Sequence, residues 1–223
     1  VFKVFEKDTY EKMSLEEIND VINESLNVNA FEVNKKKKTK FIGEDKANYI
    51  ETAFFVSPAT KSLNRIYSSG DDVFEMGSDF HVRIDDQGKF NNIGGTAYFN
   101  DTIGWHDYQQ NVMDEMIDDK FSDLIGSDKL QMNLLKKKKI TRIDDVKLCL
   151  YYNRIEIIRS EATEIIKFED ISAHVQYTNT LLIHSYITNK TYYFTPFDTF
   201  NAFKYVLFSK SYKKKVLADD NEL

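Results

Sequence analysis

With 223 residues, the chain has room for one large domain or two to three small ones, and its 17 Phe and 13 Tyr support packed cores throughout. A net charge of −6 argues against a nucleic-acid binder, whose footprint is a basic face, and only two prolines argue against long disordered linkers. The one cysteine, Cys149, excludes an intrachain disulfide framework, and no run of about eighteen apolar residues is present to span a bilayer. These features, with no signal-peptide pattern, fit a reducing, cytoplasmic setting.

Residues 1–5 read as a strand without partners before it, and the start at Val1 rather than Met fits a fragment whose earlier part is missing; processing gives the same start. Ser14 followed by Glu17 is a capping box, and Leu15, Ile18, Val21, Ile22 and Leu26 make one apolar helical face. A weaker segment around Ala30, Phe31 and Val33 leads into Lys35, Lys36, Lys37 and Lys38, a solvated loop or helix end or, in a sharper reading, a lipid-facing patch. Gly43 ends an extended piece, and Asp45 or a neighbour starts a short helix through Tyr49, Ile50 and Ala53. Strands are predicted at 54–56, 65–67, 72–75 and 80–84, with Ser69-Gly70 and Asp86-Gln87-Gly88 as turns. So small a module needs a staple or a larger neighbour to pack on. Residues 91–98 form a Gly-rich connector, and Gly94-Gly95 lacks the companions of a phosphate loop. Thr102 is the predicted cap of a helix through Trp105, Tyr108, Val112, Met113, Met116 and Ile117, a stripe that reads as core packing.

A strand at 129–135 precedes Lys136, Lys137, Lys138 and Lys139, which fall at a strand end or turn. Segments at 146–152, 154–159, 163–168, 174–177, 180–184 and 191–194 are separated by breaks too short for crossover helices, the signature of an antiparallel meander. Phe197, Phe200, Phe203, Val206 and Leu207 then recur at helical spacing, with Asp198, Asn201, Lys204 and Lys210 between them. A curled antiparallel sheet closed by a C-terminal helix is the architecture of PH-like and GRAM-like modules, so an α+β chain ending in a helix-capped antiparallel barrel is expected.

Candidates for chemistry are few. His106 has no metal ligand at a convincing spacing, and His174 and His184 lie on neighbouring strands without a third ligand. The pairs Asp71–Asp72, Asp85–Asp86, Asp118–Asp119 and Asp144–Asp145 fall in predicted turns or helix ends, where Asp is favoured for local hydrogen bonding. No active site is assigned in these residues.

Several stretches resemble a known family. They are residues 1–5, the helix at 14–26, Ser25-Leu26-Asn27-Val28-Asn29-Ala30-Phe31-Glu32, Lys40-Phe41-Ile42-Gly43-Glu44-Asp45-Lys46-Ala47 and Phe54-Phe55-Val56-Ser57-Pro58. They are similar to the region after the catalytic core in 1-acylglycerol-3-phosphate (lysophosphatidic acid) acyltransferase-like proteins of Gram-positive bacteria. The resemblance implies a zinc-ribbon-like insert, a Trp-bearing helix and a PH-like tail. Where that pattern has Cys-Pro-x-Cys and Cys-x-x-Cys knuckles, this chain has Ser57-Pro58-Ala59-Thr60 and Glu75-Met76-Gly77-Ser78. Hydroxyls are poor zinc ligands, and one carboxylate does not hold a tetrahedral site. The expectation is a ribbon without metal, held by Phe54, Phe55, Ile66, Phe74 and Phe80. The plain alternative is a run of turns with no metal ancestry.

The implied acyl transfer rests on Asn-His-x-x-x-x-Asp, with His as general base. His81 and Asp86 have that spacing, but Phe80 precedes the His and the run alternates like a strand, so it is read as chance. Any catalytic domain would lie before Val1. The expected organisation is a strand and helical linker at 1–53, a ribbon-like module at 54–98, a Trp-bearing helix at 99–127, a PH-like domain at 128–212 and a polar tail at 213–223. Two functions follow. One, implied by the resemblance, is a non-catalytic accessory region of a phospholipid-biosynthesis acyltransferase, placing the enzyme at a membrane or partner. The other is a free-standing PH-like adaptor for a protein or peptide. No cofactor and no nucleic acid are expected. The expected partners are an anionic membrane surface, at the inner face of the plasma membrane, or the chain's own N-terminal acyltransferase domain. Lys136, Lys137, Lys138 and Lys139 with Lys213, Lys214 and Lys215 are the candidates for lipid contact.

Overall fold

The computed structural model describes residues 10–26, 33, 36–37, 39–63, 66–160, 162–176, 180–197 and 200–217. The predicted strand at 1–5, Ala30, Phe31, Lys35, Lys38 and Asp198 lie outside the described residues. Two compact units are present, Val1–Ile42 with Asp86–Gly88, and Gly43–Asp85 with Lys89–Leu223.

In the first unit, α1 (Leu15–Leu26) carries the predicted capping box. Ser14 N donates to Glu17 Oε2 at 2.7 Å, and Glu17 N donates to Ser14 Oγ at 3.2 Å. Its apolar residues Leu15 and Ile22 are exposed.

The second unit is α+β with two antiparallel sheets and a C-terminal helix. The smaller sheet runs β1 (Ile66–Ser69), β2 (Asp72–Glu75), β3 (His81–Ile84) and β4 (Phe90–Asn92), paired in that order. The connector at 91–98 therefore begins inside a strand, because Phe90 is a buried anchor that the Gly-rich reading passed over. The predicted strand at 54–56 is reduced to one bridge, Val56 to Leu63. Its amides turn elsewhere: Phe55 N and Val56 N donate to Gln109 Oε1 at 2.8 and 3.3 Å. The helix expected near Tyr49 shrinks to a 3-10 turn at Ile50–Thr52, since Tyr49 takes a left-handed φ of 66°.

Helix α2 (Thr102–Asp118) packs Trp105 into the core of this sheet, fully buried among Val73, Phe80, Val82 and Ile84. The Phe54 and Phe80 rings lie 4.6 and 5.2 Å from it. Its cap is Asp101 rather than Thr102: the extended Asp101 accepts from Ile103 N and Gly104 N at 3.0 and 3.1 Å.

The larger sheet contains β5 (Gly126–Lys136), β6 (Lys139–Leu150), β7 (Arg154–Ile158), β8 (Thr163–Lys167), β9 (Ile171–Gln176), β10 (Thr180–Ser185) and β11 (Lys190–Pro196). All pairings are antiparallel, in the order β8-β7-β6-β5-β11-β10-β9. The predicted antiparallel strands are thus observed, but their succession breaks between β8 and β9, which lie at opposite edges of the sheet. Asp144–Asp145 lie in β6 rather than in a turn. They form a bulge opposite Gln131, between the pairs Leu130–Val146 and Met132–Ile143. Among the described residues no ladder joins β8 to β9, so the sheet is open. It curls strongly nonetheless: Glu164 of β8 accepts from Lys190 Nζ (2.7 Å) and Tyr192 Oη (2.6 Å) of β11, four places along the sheet.

Helix α3 (Phe203–Tyr212) begins later than its apolar spacing predicts. Asn201 Oδ1 accepts from Lys204 N at 2.9 Å in the manner of a cap, while Asn201 Nδ2 donates to Glu51 O at 2.7 Å. Phe200, Tyr205, Val206 and Phe208 join the sheet's core, and Phe197 remains exposed.

Candidate functional site

The residues from Ser57 to Ser62 form a tight loop, closed by Ser57 N to Ser62 O (2.9 Å) and Lys61 N to Ser57 O (3.0 Å). Ser57 Oγ accepts from Ala59 N (3.2 Å) and Thr60 N (3.0 Å), the local bonding that short hydroxyl side chains favour in turns. The second turn follows Glu75 at the end of β2 and needs a left-handed Gly77 (φ 82°). There Ser78 N donates to Glu75 O, and Ser78 Oγ accepts from Phe80 N at 3.1 Å.

The two turns meet at the Glu75 carboxylate. Ser57 Oγ donates to Oε2, and Thr60 Oγ1 donates to Oε1 at 2.9 Å. Ser57 and Glu75 are buried. Three of the four positions singled out in the sequence thus share one hydrogen-bond clasp, while Ser78 serves only its own turn. Glu75 is the acceptor and the hydroxyls are the donors, so the cluster satisfies itself. Among the described residues no group of three or more His, Cys, Asp or Glu is placed to hold a metal ion. Helix α2 fixes the loop from behind, with Trp105 Nε1 donating to Val56 O at 2.9 Å. Of the five residues expected to pack the module, Phe54, Ile66 and Phe80 surround Trp105. Phe55 instead joins the larger sheet's core, and Phe74 lines a cleft of about 480 Å³ on the outer face beside Asp72 and His81.

His81 faces Asp72. Its Nε2 lies 3.4 Å from Asp72 Oδ2 without making a hydrogen bond. Arg83 binds Asp72 at 2.6 and 3.0 Å and holds that carboxyl below its ordinary range, with a smaller contribution from His81. His106 is exposed next to Asp107. The register sets His174 opposite Leu182 and His184 opposite Ser172, so the two are not direct partners; His184 Nδ1 contacts Thr191 Oγ1 at 3.0 Å. Burial pushes the Cys149 thiol up, as for an inert core thiol.

Sequence periodicity missed one buried charge. Lys204, read as lying between the apolar positions of the last helix, has 0% exposure. Its Nζ sits 2.6 Å from Asp128 Oδ2, and Tyr205 Oη lies 2.6 Å from the same oxygen and 3.1 Å from Leu148 O. Burial lowers the Lys204 ammonium against the opposing pull of Asp128, and burial raises the Tyr205 phenol. The trio ties α3 to β5. No local pattern distinguishes buried Lys204 from exposed Lys210 on the same helix, because its partner lies 76 positions away.

The lysine runs separate. Lys136, Lys137, Lys138 and Lys139 are all exposed, at a two-residue hairpin whose Lys137 and Lys138 have φ of 46° and 67°, as a primed turn requires. Lys213 donates to Ile171 O, and Lys215 donates to Asp118 and to Asp114 O, so only Lys214 of that run is exposed. Lys36 and Lys37 are exposed in the first unit. Among the described residues no helix is long and apolar enough to cross a membrane.

No family model matches the chain, and no curated protein matches it. Among solved structures, the activated truncation of Vav1 aligns with TM-score 0.31 and 9% identity over 50% of this chain and 37% of that one. Inner Membrane Complex Sub-compartment Protein 3 of Toxoplasma gondii aligns with TM-score 0.31 and 16% identity, over 45% and 85%. The C-terminal domain of a Leishmania infantum protein gives TM-score 0.28 and 11% identity, over 46% and 96%. This chain therefore spans little more than a third of the Vav1 chain. Likenesses this slight carry no argument about what the chain does.

Proposed function

We propose that the chain is a non-catalytic accessory region whose C-terminal sheet is PH-like and docks on an anionic membrane surface. The smaller sheet is, in this reading, a ribbon-like module with the Glu75 clasp in place of a metal. Seven antiparallel strands followed by a helix support the PH-like assignment. The attached enzyme, a lysophosphatidic acid acyltransferase taking its acyl group from a thioester, is what the family resemblance implies. An Asn-His-x-x-x-x-Asp block encoded in frame before Val1 is the expected test result for that part, and a start codon there refutes it.

The observation that carries the docking reading is the exposed hairpin of Lys136, Lys137, Lys138 and Lys139 at one end of the sheet. Each lysine near an anionic leaflet contributes about 1 kcal/mol, so four held together amount to about 4 kcal/mol, and the attraction decays within a Debye length. Co-sedimentation with phosphatidylserine-containing vesicles at low salt is the test. Binding is expected to exceed that to phosphatidylcholine alone and to be abolished when all four lysines are changed to Glu. Equal binding to both vesicle types, or none, sinks the reading.

A further inference from the structure

The lysine hairpin does not stand alone at its end of the sheet. Leu135 pairs with both Ile140 and Thr191, and Lys190 pairs with Ser185, so the turn at 186–189 runs alongside Lys136–Lys139. This end also carries bare apolar surface. Among the described residues from 126 to 212, the exposed large hydrophobic side chains are Ile140, Ile165, Tyr186, Ile187 and Phe197. Three of the five sit here: Ile140 at 67% exposure, Tyr186 at 58% and Ile187 at 74%. Ile187 is at the tip of a turn, where no core can form beneath it.

The turn is braced. Tyr186 N donates to Asp170 O at 2.8 Å, Thr188 N donates to Ser185 Oγ at 3.3 Å, and Asn189 adopts a left-handed φ of 49°. Lys213, anchored on Ile171 O, places its ammonium 5.9 Å from the Tyr186 ring. An isoleucine presented this way needs little further ordering to be buried. A protruding apolar tip beside a row of like positive charges suits a surface that is anionic outside and hydrocarbon beneath.

We infer that the 186–189 turn inserts into the bilayer interface, with Ile187 leading and Ile140 beside it. Tyr186 rests at the headgroup level, and Lys136, Lys137, Lys138 and Lys139 lie against lipid phosphates. This rests on the docking reading above and adds a salt-resistant component that lysines alone cannot supply. It also orients the module, with the long axis of the β5–β6 hairpin pointing at the membrane.

The chain's single Trp105 is fully buried, so its emission does not respond to vesicles, and the change they cause in Ile187→Trp beyond that of wild type reports on position 187. In the full chain carrying Ile187→Trp, mixed phosphatidylserine and phosphatidylcholine vesicles are expected to blue-shift the emission, and acyl-chain-brominated lipid to quench it. Ile187→Ser is expected to weaken vesicle binding about tenfold, the equivalent of losing a buried aliphatic side chain, and equally at low and high salt. The lysine-to-Glu variant is expected to lose only the salt-dependent part. If wild type binds anionic vesicles while the tryptophan at 187 is neither shifted nor quenched and Ile187→Ser binds normally, the contact is purely electrostatic. That result overturns insertion and leaves docking intact. If wild type binds no vesicle, docking and insertion fall together.

Discussion

Replacing Glu75 with Gln probes the clasp that joins the two turns of the smaller sheet. The carboxylate accepts from Ser57 Oγ and from Thr60 Oγ1, and it is nearly inaccessible to water. Gln keeps the volume but presents one amide donor to a hydroxyl that was itself donating, so at least one of the two bonds must break or reverse. A hydrogen bond to a charged acceptor contributes about 1.5–3 kcal/mol, which sets the expected loss for one bond. At about 2–4 °C per kcal/mol for a chain of this size, Tm falls by about 3–12 °C. Ser57→Ala should cost about 1–3 kcal/mol, because it also strips the acceptor from Ala59 N and Thr60 N. Urea unfolding followed by Trp105 fluorescence suits the measurement, since the indole is bonded to Val56, one residue from Ser57. The two substitutions remove the same Ser57–Glu75 hydrogen bond, so the double variant should lose less than the sum by about 1 kcal/mol. Single losses below about 0.5 kcal/mol, or strict additivity, would refute the idea that this clasp holds the module.

The buried ion pair gives a contrasting case. Lys204→Ala leaves Asp128 without its cation and should cost about 3–5 kcal/mol in chemical denaturation, whereas Lys204→Met with Asp128→Leu should be close to neutral. A double variant as damaged as the single one would show that the Asp128 carboxylate is required, by Lys204 or by Tyr205 Oη, which also donates to it. Alkaline pH addresses Tyr192, whose phenol is pushed well above the ordinary 10.0 by burial and by its bond to Glu164. The folded chain keeps this proton where the unfolded chain has lost it. Its stabilisation is therefore complete below about pH 10 and drains away as pH rises further. Tyr192→Phe should flatten the decline in stability above about pH 10, and an unchanged slope would exclude this linkage.

What the sequence determined by itself was local periodicity. The capping box at Ser14 and Glu17, the antiparallel strands and the Trp105 helix were all legible, because each rests on neighbours within a few positions. The two turns at Ser57–Thr60 and Glu75–Ser78 were legible as turns. That Glu75 gathers Ser57 and Thr60 depends on a chain path of 15 to 18 positions that no local pattern encodes. Tertiary structure alone decided the rest. Gln109 drew the amides of Phe55 and Val56 out of a predicted strand, and Asn201 delayed the last helix by binding Glu51. Asp128 made a core residue of Lys204, and the pairing of β5 with β11 brought Ile187 beside the lysine hairpin. The physical reason is common to the first three. A polar group's free energy is set by what replaces its water, and that replacement comes from residues distant in sequence but adjacent in the fold.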